Sequence, residues 1–490
     1  MINVVTVDVM RRADRAAIEG GISSLELMRR AAKSIFEASK KRGKTAIVCG
    51  PGNNGGDGYA LACIMRDKGF DVDVFSLSDK LSEDAYYYKE TYIKKGGKPI
   101  PFTEETAFED YDIIYDCIFG TGGGREVTGL YRAAVEKINS SEAFVISADI
   151  PSGLNGDNGL PQGIAVEADI TVAIGAVKAG HILNDGPDYS GKIISADIGI
   201  KTEKCFSLVE DSDIDVSFPE RKRNINKGDS GRLVIYAGSS RFMGAAILAS
   251  HGVSAVRTGA GLVTLAIPEP YVQTVIPLMR NCILFPLPLK DGFIFFDSAL
   301  AEESIKGANA AAIGMGMGAN ADTLNFVKFL LNKDITLLID ADGLNVLEGN
   351  TDLLIDHKAR LILTPHPKEF SRLTGYTVNQ ILSDPINLAK HYAKEWNSVI
   401  LLKGSATVIT DGERVMIVDR GAPSMAKGGS GDVLSGVIAG IAARGIPPFE
   451  AAYSGAYLAG AAGELASRDK GNYSADPMDT AEALYRIIKP

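Results

Sequence analysis

Short apolar runs that end in Gly, Asp or Pro recur along the chain, each followed by a helix-length stretch, and this alternation restricts the fold more than any other feature. TAIVCG (45–50), DVDVFSL (71–77), YDIIYDCIFG (111–120), AFVISADIPSG (143–153), ADITVAIGA (168–176) and KIISADIGI (192–200) are nearly continuous in apolar or β-branched residues. A strand with one wet face would alternate polar and apolar positions, so these runs belong in a parallel sheet covered on both sides by helices. Ahead of them, Ser23 and Glu26 form an S-x-x-E capping box for a helix in SSLELMRRAAKSIFEASK. After Ile200 the pattern lapses into charged KTEKCFSLVEDSDIDVSFPERKRNINKGDSG, then resumes at RLVIYAG (232–238), LVTLAIPE, AAIGMGMG, TLLIDADGLN, LILTPHP and SVILLKGSATVIT. With 490 residues exceeding one ordinary core, two α/β domains are expected, 1–215 and 216–490.

Charge and cysteine usage narrow the function. A net charge of −10 argues against a nucleic-acid surface, and the one basic cluster, RKRNINK at 221–227, reads as a solvated linker. Cys49, Cys63, Cys117, Cys205 and Cys282 show no C-x-x-C spacing and suit free thiols in a cytoplasmic protein. The N-terminus lacks a signal-peptide pattern and no apolar run is long enough for a membrane span; Gly436 and Gly440 make a GxxxG pair read as close helix packing.

In open parallel sheets, ligands gather at the carboxyl ends of strands. CGPGNNGGDGYALA (49–62) leaves a strand and opens a helix, yet matches neither G-x-G-x-x-G nor a P-loop, so a tight turn and a ligand loop both remain open. Three further strand exits carry Asp116 before CIFGTGGGREVTG, Asp149 and Ser152 in DIPSG, and Lys178 and His181 in KAGH. Together these motifs resemble the N-terminal, epimerase domain of the bifunctional NAD(P)H-hydrate repair enzymes, with a Rossmann-like parallel sheet. The resemblance implies potassium at Asn54, Asp116 and Ser152. It also implies contacts to hydrated NADH or NADPH from Asn53, Asn54, Gly55, Gly56, Asp57, Gly120, Thr121, Gly122, Gly123, Gly124, Arg125, Glu126 and Asp149. Epimerisation at a hydrated ring carbon needs a proton donor and acceptor; Asp149 is the candidate, with Lys178 either an assisting cation or a structural lysine. His181 reads as a hydrogen-bonded structural residue.

In the second half, AKGGSGDVLSG (426–436) offers backbone N–H groups to an anion and sets Asp432 at the start of a helix, where it can take the proton of an attacking hydroxyl. This G-x-G-D loop resembles the ribokinase-like superfamily. With NKGDSGRLVIYAGS, GAGLVTLAIPE, IGMGMG, DADGLN, LTPHPKEF and KGSATVI in order, the half is similar to the ADP-dependent NAD(P)H-hydrate dehydratase domain of the same repair enzymes. The resemblance implies ADP or ATP, with magnesium, bound by Lys403, Gly404, Ser405, Ala406, Thr407, Ala426, Lys427, Gly428, Gly429, Ser430 and Gly431. Gly318, His366, Pro367, Glu369 and Asp432 would contact the hydrated cofactor, and Asp432 would be catalytic. Departures are Met315 and Met317 in GMGMG, and RGAPS at 420–424. Asp340 and Asp342 fit helix capping or phosphate and magnesium organisation equally well. A homo-oligomer acting on NADHX and NADPHX is expected. The competing function is a ribokinase-like vitamin kinase with a non-catalytic N-terminal binding domain.

Overall fold

Residues 2–38, 43–122, 124–254, 257–279 and 281–488 are described by a computed structural model. The chain divides into two compact units, Ile2–Phe206 and the segment from Ser207 onward. That division falls before the 215–216 boundary suggested by composition, because Ser207 and Leu208 are already paired with Met416 and Ile417 of the second unit. Strand pairing, invisible in a charged linker, decides the border.

Among the described residues the first unit holds a seven-stranded sheet in the order Ile100–Pro101, Val72–Ser76, Thr45–Cys49, Ile113–Cys117, Phe144–Ala148, Ile170–Ile174 and Lys192–Ala196. Every pairing in it is parallel. Thr45–Cys49 and Ile113–Cys117 are buried at each position. Their alternate side chains enter different cores: Ile47, Cys49, Ile113 and Tyr115 pack with Ile35 and Tyr59, whereas Ala46, Val48 and Ile114 pack with Phe75 and Val135. Each such aliphatic side chain contributes about 1.5–3 kcal/mol on burial, which is why the runs carry no polar alternation. A parallel pair of short strands, Ile2–Val5 with Val177–Lys178, was not legible as strand. Helix Ser24–Ala38 has half of its expected box: Ser23 Oγ accepts the Glu26 N–H at 3.2 Å, while the Glu26 carboxylate turns to Arg29 and Arg30.

The second unit orders its strands as Ile283–Leu287, Leu262–Pro268, Arg232–Tyr236, Ala310–Ile313, Thr336–Ile339, Arg360–Leu363, Ser398–Leu402, Thr407–Thr410, Val415–Val418 and Phe206–Leu208. The sheet is parallel up to Ser398–Leu402. There it reverses: the single run SVILLKGSATVIT is two antiparallel strands turned at Gly404 and Ser405, and Val415–Val418 continues the reversal. Ile283–Leu287 contains Pro286 and sits at the sheet edge, where a missing N–H is tolerated. Helix Ser430–Ala443 is buried from Ser435 to Ala443, so its GxxxG pair serves packing within the unit. No described helix is long and apolar enough to cross a membrane.

Backbone proximity makes the loop after Thr45–Cys49 dependent on glycine. A Cβ on Gly55 would stand 2.0 Å from the Gly50 carbonyl oxygen, whereas one on Gly52 meets nothing within 4 Å. Gly55→Ala is therefore expected to destabilise the first unit by roughly 1–3 kcal/mol, read as a lowered urea midpoint, with Gly52→Ala near wild type.

Candidate active sites

In the first unit a cleft of about 1230 Å³ opens at the carboxyl ends of the strands. Asn53, Asn54, Asp57, Gly120, Thr121, Gly122, Gly124, Arg125, Glu126 and Asp149 line it. Gly55 and Gly56 do not. They make the turn beneath, against Gly50 and Met28. Gly123 lies outside the described residues.

Below the cleft is a nest of oxygen atoms. Asp116, fully buried, accepts from Ser147 Oγ at 2.8 Å, Ser152 Oγ at 2.5 Å, Ser152 N at 2.8 Å and Ile118 N at 3.2 Å. Burial raises its carboxyl above the usual range and these four donors oppose the shift. Asn54 Nδ2 donates to the Phe119 carbonyl at 2.8 Å, on which Ser152 Oγ also converges at 3.2 Å. Asn54 Oδ1 is buried and has no protein partner. An orphaned buried carbonyl oxygen beside a carboxylate and a hydroxyl fits a hard cation with little demand for geometry, which is what a potassium ion requires.

Asp149 follows strand Phe144–Ala148 with φ 68°, a left-handed conformation that Asp tolerates better than most residues. Its carboxylate is bound by the ammonium of Lys178, which is fully buried and also donates to the Ile174 carbonyl at 2.7 Å. Lys178 thus reaches the cleft only through Asp149. His181 Nδ1 accepts from the Lys178 N–H at 3.1 Å and Nε2 faces the Asp149 carbonyl at 2.9 Å. Burial, then the Lys178 charge, lowers its pKa to about 4, so it is a neutral strut for the Asp149 backbone.

The remaining wall comes from helix Val7–Glu19, which presents Val7, Met10, Arg11, Asp14 and Ile18 to the cleft. Sequence reading passed over these residues. The available signal was the helical spacing of one acid among apolar positions. Arg11 donates to the Thr121 carbonyl at 2.8 Å, and the Asp14 carboxyl is raised to about 6, by burial first and Asp149 second. Asp57 is pushed well above the carboxylate range by burial, Asp149 and Asp14.

In the second unit the exits of three strands meet the start of a helix. Lys403 N donates to the Pro365 carbonyl at 2.9 Å, joining the LTPHP and KGS loops. The Lys403 ammonium lies 2.9 Å from Asp340 and 3.7 Å from Glu369. Asp340, 2% exposed, also accepts from Ser435 Oγ at 2.7 Å, and its carboxyl is lowered because Lys403 and these donors overcome burial. Helix Ser430–Ala443 begins after Gly429, whose φ is 101°. A Cβ on Gly431 would stand 3.8 Å from both the Asp340 carboxylate and the Lys403 ammonium, so the ion pair borders the glycine nest. Asp432, half-buried in the first turn, is raised to about 7 by burial and by Asp340 against the pull of Lys403.

Around this centre the sequence candidates separate by role. Asp342 accepts the Gly318 N–H at 2.8 Å. His366 caps helix Pro367–Thr374 through Nδ1, at 3.1 Å from both the Lys368 and Glu369 N–H groups. Glu369 is buried, returns a bond to His366 N at 2.8 Å, and so faces the protein. The Lys427 ammonium is engaged by the carbonyls of Tyr473 and Ala475 at 2.7 and 2.5 Å. Gly404 to Thr407 form the turn and start of the reversed strand and Gly428 to Gly431 the nest, while the Ala426 and Lys427 N–H groups are taken by the Pro423 and Met425 carbonyls. Met315 and Met317 are fully buried, filling the core, and Arg420 pairs with Glu464 at 2.9 Å. Among the described residues no group of three His, Cys, Asp or Glu side chains is placed to hold a metal ion.

Residues 233–486 match the NAD(P)H-hydrate dehydratase family and residues 24–180 match the YjeF-related protein N-terminus. The bifunctional NAD(P)H-hydrate repair enzyme of Moorella thermoacetica is 35% identical over 466 residues, covering 89% of this chain and 87% of the relative. That of Thermofilum pendens is 34% identical over 470 residues, with the same coverage. Among solved structures, a ribokinase-like superfamily protein of Enterococcus faecalis aligns with TM-score 0.51 and 22% identity, covering 57% of this chain and 94% of that one.

Removing the Asp340 carboxylate leaves the half-buried Lys403 ammonium with the longer contact to Glu369 at 3.7 Å. Asp340→Ala is expected to lower stability by about 3 kcal/mol, and the double variant Asp340→Leu, Lys403→Met to recover most of it, both read by thermal denaturation.

Proposed function

The chain belongs to the bifunctional NAD(P)H-hydrate repair enzyme family, and we infer from its two sites that the first unit epimerises hydrated NADH and NADPH while the second removes the water in a nucleotide-dependent reaction. The observation that carries the second assignment is the convergence of the Gly428–Gly431 nest, the Lys403–Asp340 pair and Asp432. Hydroxide is a poor leaving group; phosphate is a good one. N–H groups at the start of helix Ser430–Ala443 hold the terminal phosphoryl group of ADP or ATP, and Lys403 neutralises charge as the transfer develops. Asp432 takes the proton of the ring hydroxyl, whose oxygen attacks phosphorus, and the shortened nucleotide leaves. The ring nitrogen lone pair then expels phosphate, and loss of a proton from the adjacent ring carbon restores the reduced nicotinamide.

Asp340 is engaged by Lys403 and Ser435, and Asp342 by Gly318, so magnesium would be brought by the nucleotide's own phosphates. In the first unit, potassium would be held by Asn54 Oδ1, Asp116 and Ser152, adding fixed positive charge under a phosphate-bearing substrate. Asp149, oriented by Lys178 and His181, is the acid–base group that faces the cleft.

Hydrated NADH incubated with the protein, ADP and magnesium should regain the near-ultraviolet absorbance of NADH. Phosphorylation of vitamins with no such recovery would instead assign a vitamin kinase. Asp432→Asn should bind nucleotide within about threefold of wild type yet lose roughly 10²-fold or more in turnover. Because Asp432 acts as a base and is protonated below about pH 7, wild-type dehydration should rise with pH through that value. Replacing potassium with a large organic cation should slow epimerisation and leave Asn54→Ala, already slow, insensitive to the exchange.

A further inference from the structure

A single buried ammonium serves a cleft that holds several carboxyl groups. Lys178 binds Asp149 and the Ile174 carbonyl, while Asp14 and Asp57 enter the same cleft from helices Val7–Glu19 and Asn53–Asp67 without an ion pair of their own among the described contacts. Carboxyl groups outnumber cations there: Asp14, Asp57, Asp84, Glu126, Asp149 and Asp157 line the cleft against the guanidinium groups of Arg11 and Arg125 and the ammonium behind Asp149, so protons are retained. Resting on the epimerase assignment above, we propose that Asp14 is a second catalytic residue of that reaction, working as the proton partner of Asp149 from a different wall of the cleft.

Epimerisation at the carbon carrying both hydroxyl and ring nitrogen needs an acid and a base at the same moment. Asp14 gives its proton to the hydroxyl; the carbon–oxygen bond breaks with its electron pair leaving on water, and the nitrogen lone pair forms a C=N iminium. A water then adds to the opposite face of that carbon, the π pair returns to nitrogen, and the spare proton passes to the Asp149 carboxylate. The two carboxyl groups have exchanged roles, so the enzyme left behind is ready to turn over the other epimer. No external oxidant, reductant or co-reactant is consumed.

The choice of Asp14 over Asp57 follows from their surroundings. Asp57 sits on helix Asn53–Asp67, where burial, Asp149 and Asp14 push its carboxyl upward; Asp14, on a helix that forms a different wall of the cleft and raised to about 6, can hold or release a proton near neutrality. The charged groups that share the cleft with Asp14 are Asp149, with Lys178 behind it, at the strand exits, Asp57 and Asp84 on neighbouring helices, Arg125 and Glu126 on the glycine loop and Asp157 after the DIPSG exit, with Arg11 on its own helix.

The test uses the full chain without nucleotide, following resolved R-NADHX by chiral chromatography in ¹⁸O-labelled water. Wild type should convert it to the S epimer faster than the uncatalysed rate, with solvent oxygen entering the hydroxyl, and turnover should fall as pH rises through about 6. Asp14→Asn should lose roughly 10²-fold in kcat with KM within about threefold, and should lose that pH limb. Its NADPH affinity and thermal midpoint should stay close to wild type, and Asp14→Glu should recover part of the rate. An Asp14→Asn enzyme within threefold of wild-type kcat, a defect confined to KM, or retention of the original oxygen would each overturn the proposal while leaving the epimerase assignment standing. A wild-type protein that does not accelerate epimerisation would overturn both.

Discussion

A lysine largely withdrawn from water, fully in the first unit and partly in the second, holds a carboxylate at the carboxyl edge of a parallel sheet in each unit, and each site is organised around it. Lys178 fixes Asp149; Lys403 fixes Asp340. Taking an ammonium out of water costs several kcal/mol unless a carboxylate and further acceptors meet it, so each lysine dictates where its partners must stand. The supply of positive charge then sets the protonation of the other acids. Asp14 and Asp57 in the first unit, and Asp432 in the second, are left with desolvation and like charge as their dominant influences, and all three move upward. Raised carboxyl groups, Asp14 to about 6 and Asp432 to about 7, are therefore a consequence of burial and of how few cations are buried beside them.

Glycine completes the arrangement in a way no side chain could. In the first unit Gly55 lets the start of a helix pass against the Gly50 carbonyl, which draws Asn54 close to Phe119 and Ser152. In the second, Gly429 takes a left-handed turn immediately before helix Ser430–Ala443; the Ser430 N–H turns back to the Lys427 carbonyl, and those of Gly431 and Asp432 stand at the open end of the helix. The two loops solve different problems. One brings oxygen atoms together beneath a cleft; the other opens the N-terminus of a helix toward a carboxylate–lysine pair.

The chemistry of the two units is complementary. An amine-bearing carbon with a hydroxyl epimerises readily, so a dehydratase that accepts one hand needs a means of interconverting the two, and this chain carries both activities. In the proposed reaction a phosphoryl-transfer site yields a net loss of water because a phosphate ester leaves the ring where hydroxide would not.

Strand positions, the α/β class and the glycine loops were legible because continuous apolar runs and Gly-Asp exits are local patterns with local physical causes. Asn53 to Asp57, Asp149 and Lys403 could be nominated for the same reason, since each follows a strand end closely, and Asp432 because it follows a glycine run at the start of a helix. What tertiary structure alone decided were relations between distant segments. Nothing near Asp14 or Arg11 distinguishes them from other polar residues on an amphipathic helix until that helix is folded over the cleft. Lys178, Glu369 and Lys427 could have faced ligands; packing commits them to Asp149, to His366 and Lys403, and to the carbonyls of Tyr473 and Ala475. Burial and pairing are properties of the folded neighbourhood, and a one-dimensional pattern can nominate a side chain for chemistry without saying what will stand opposite it.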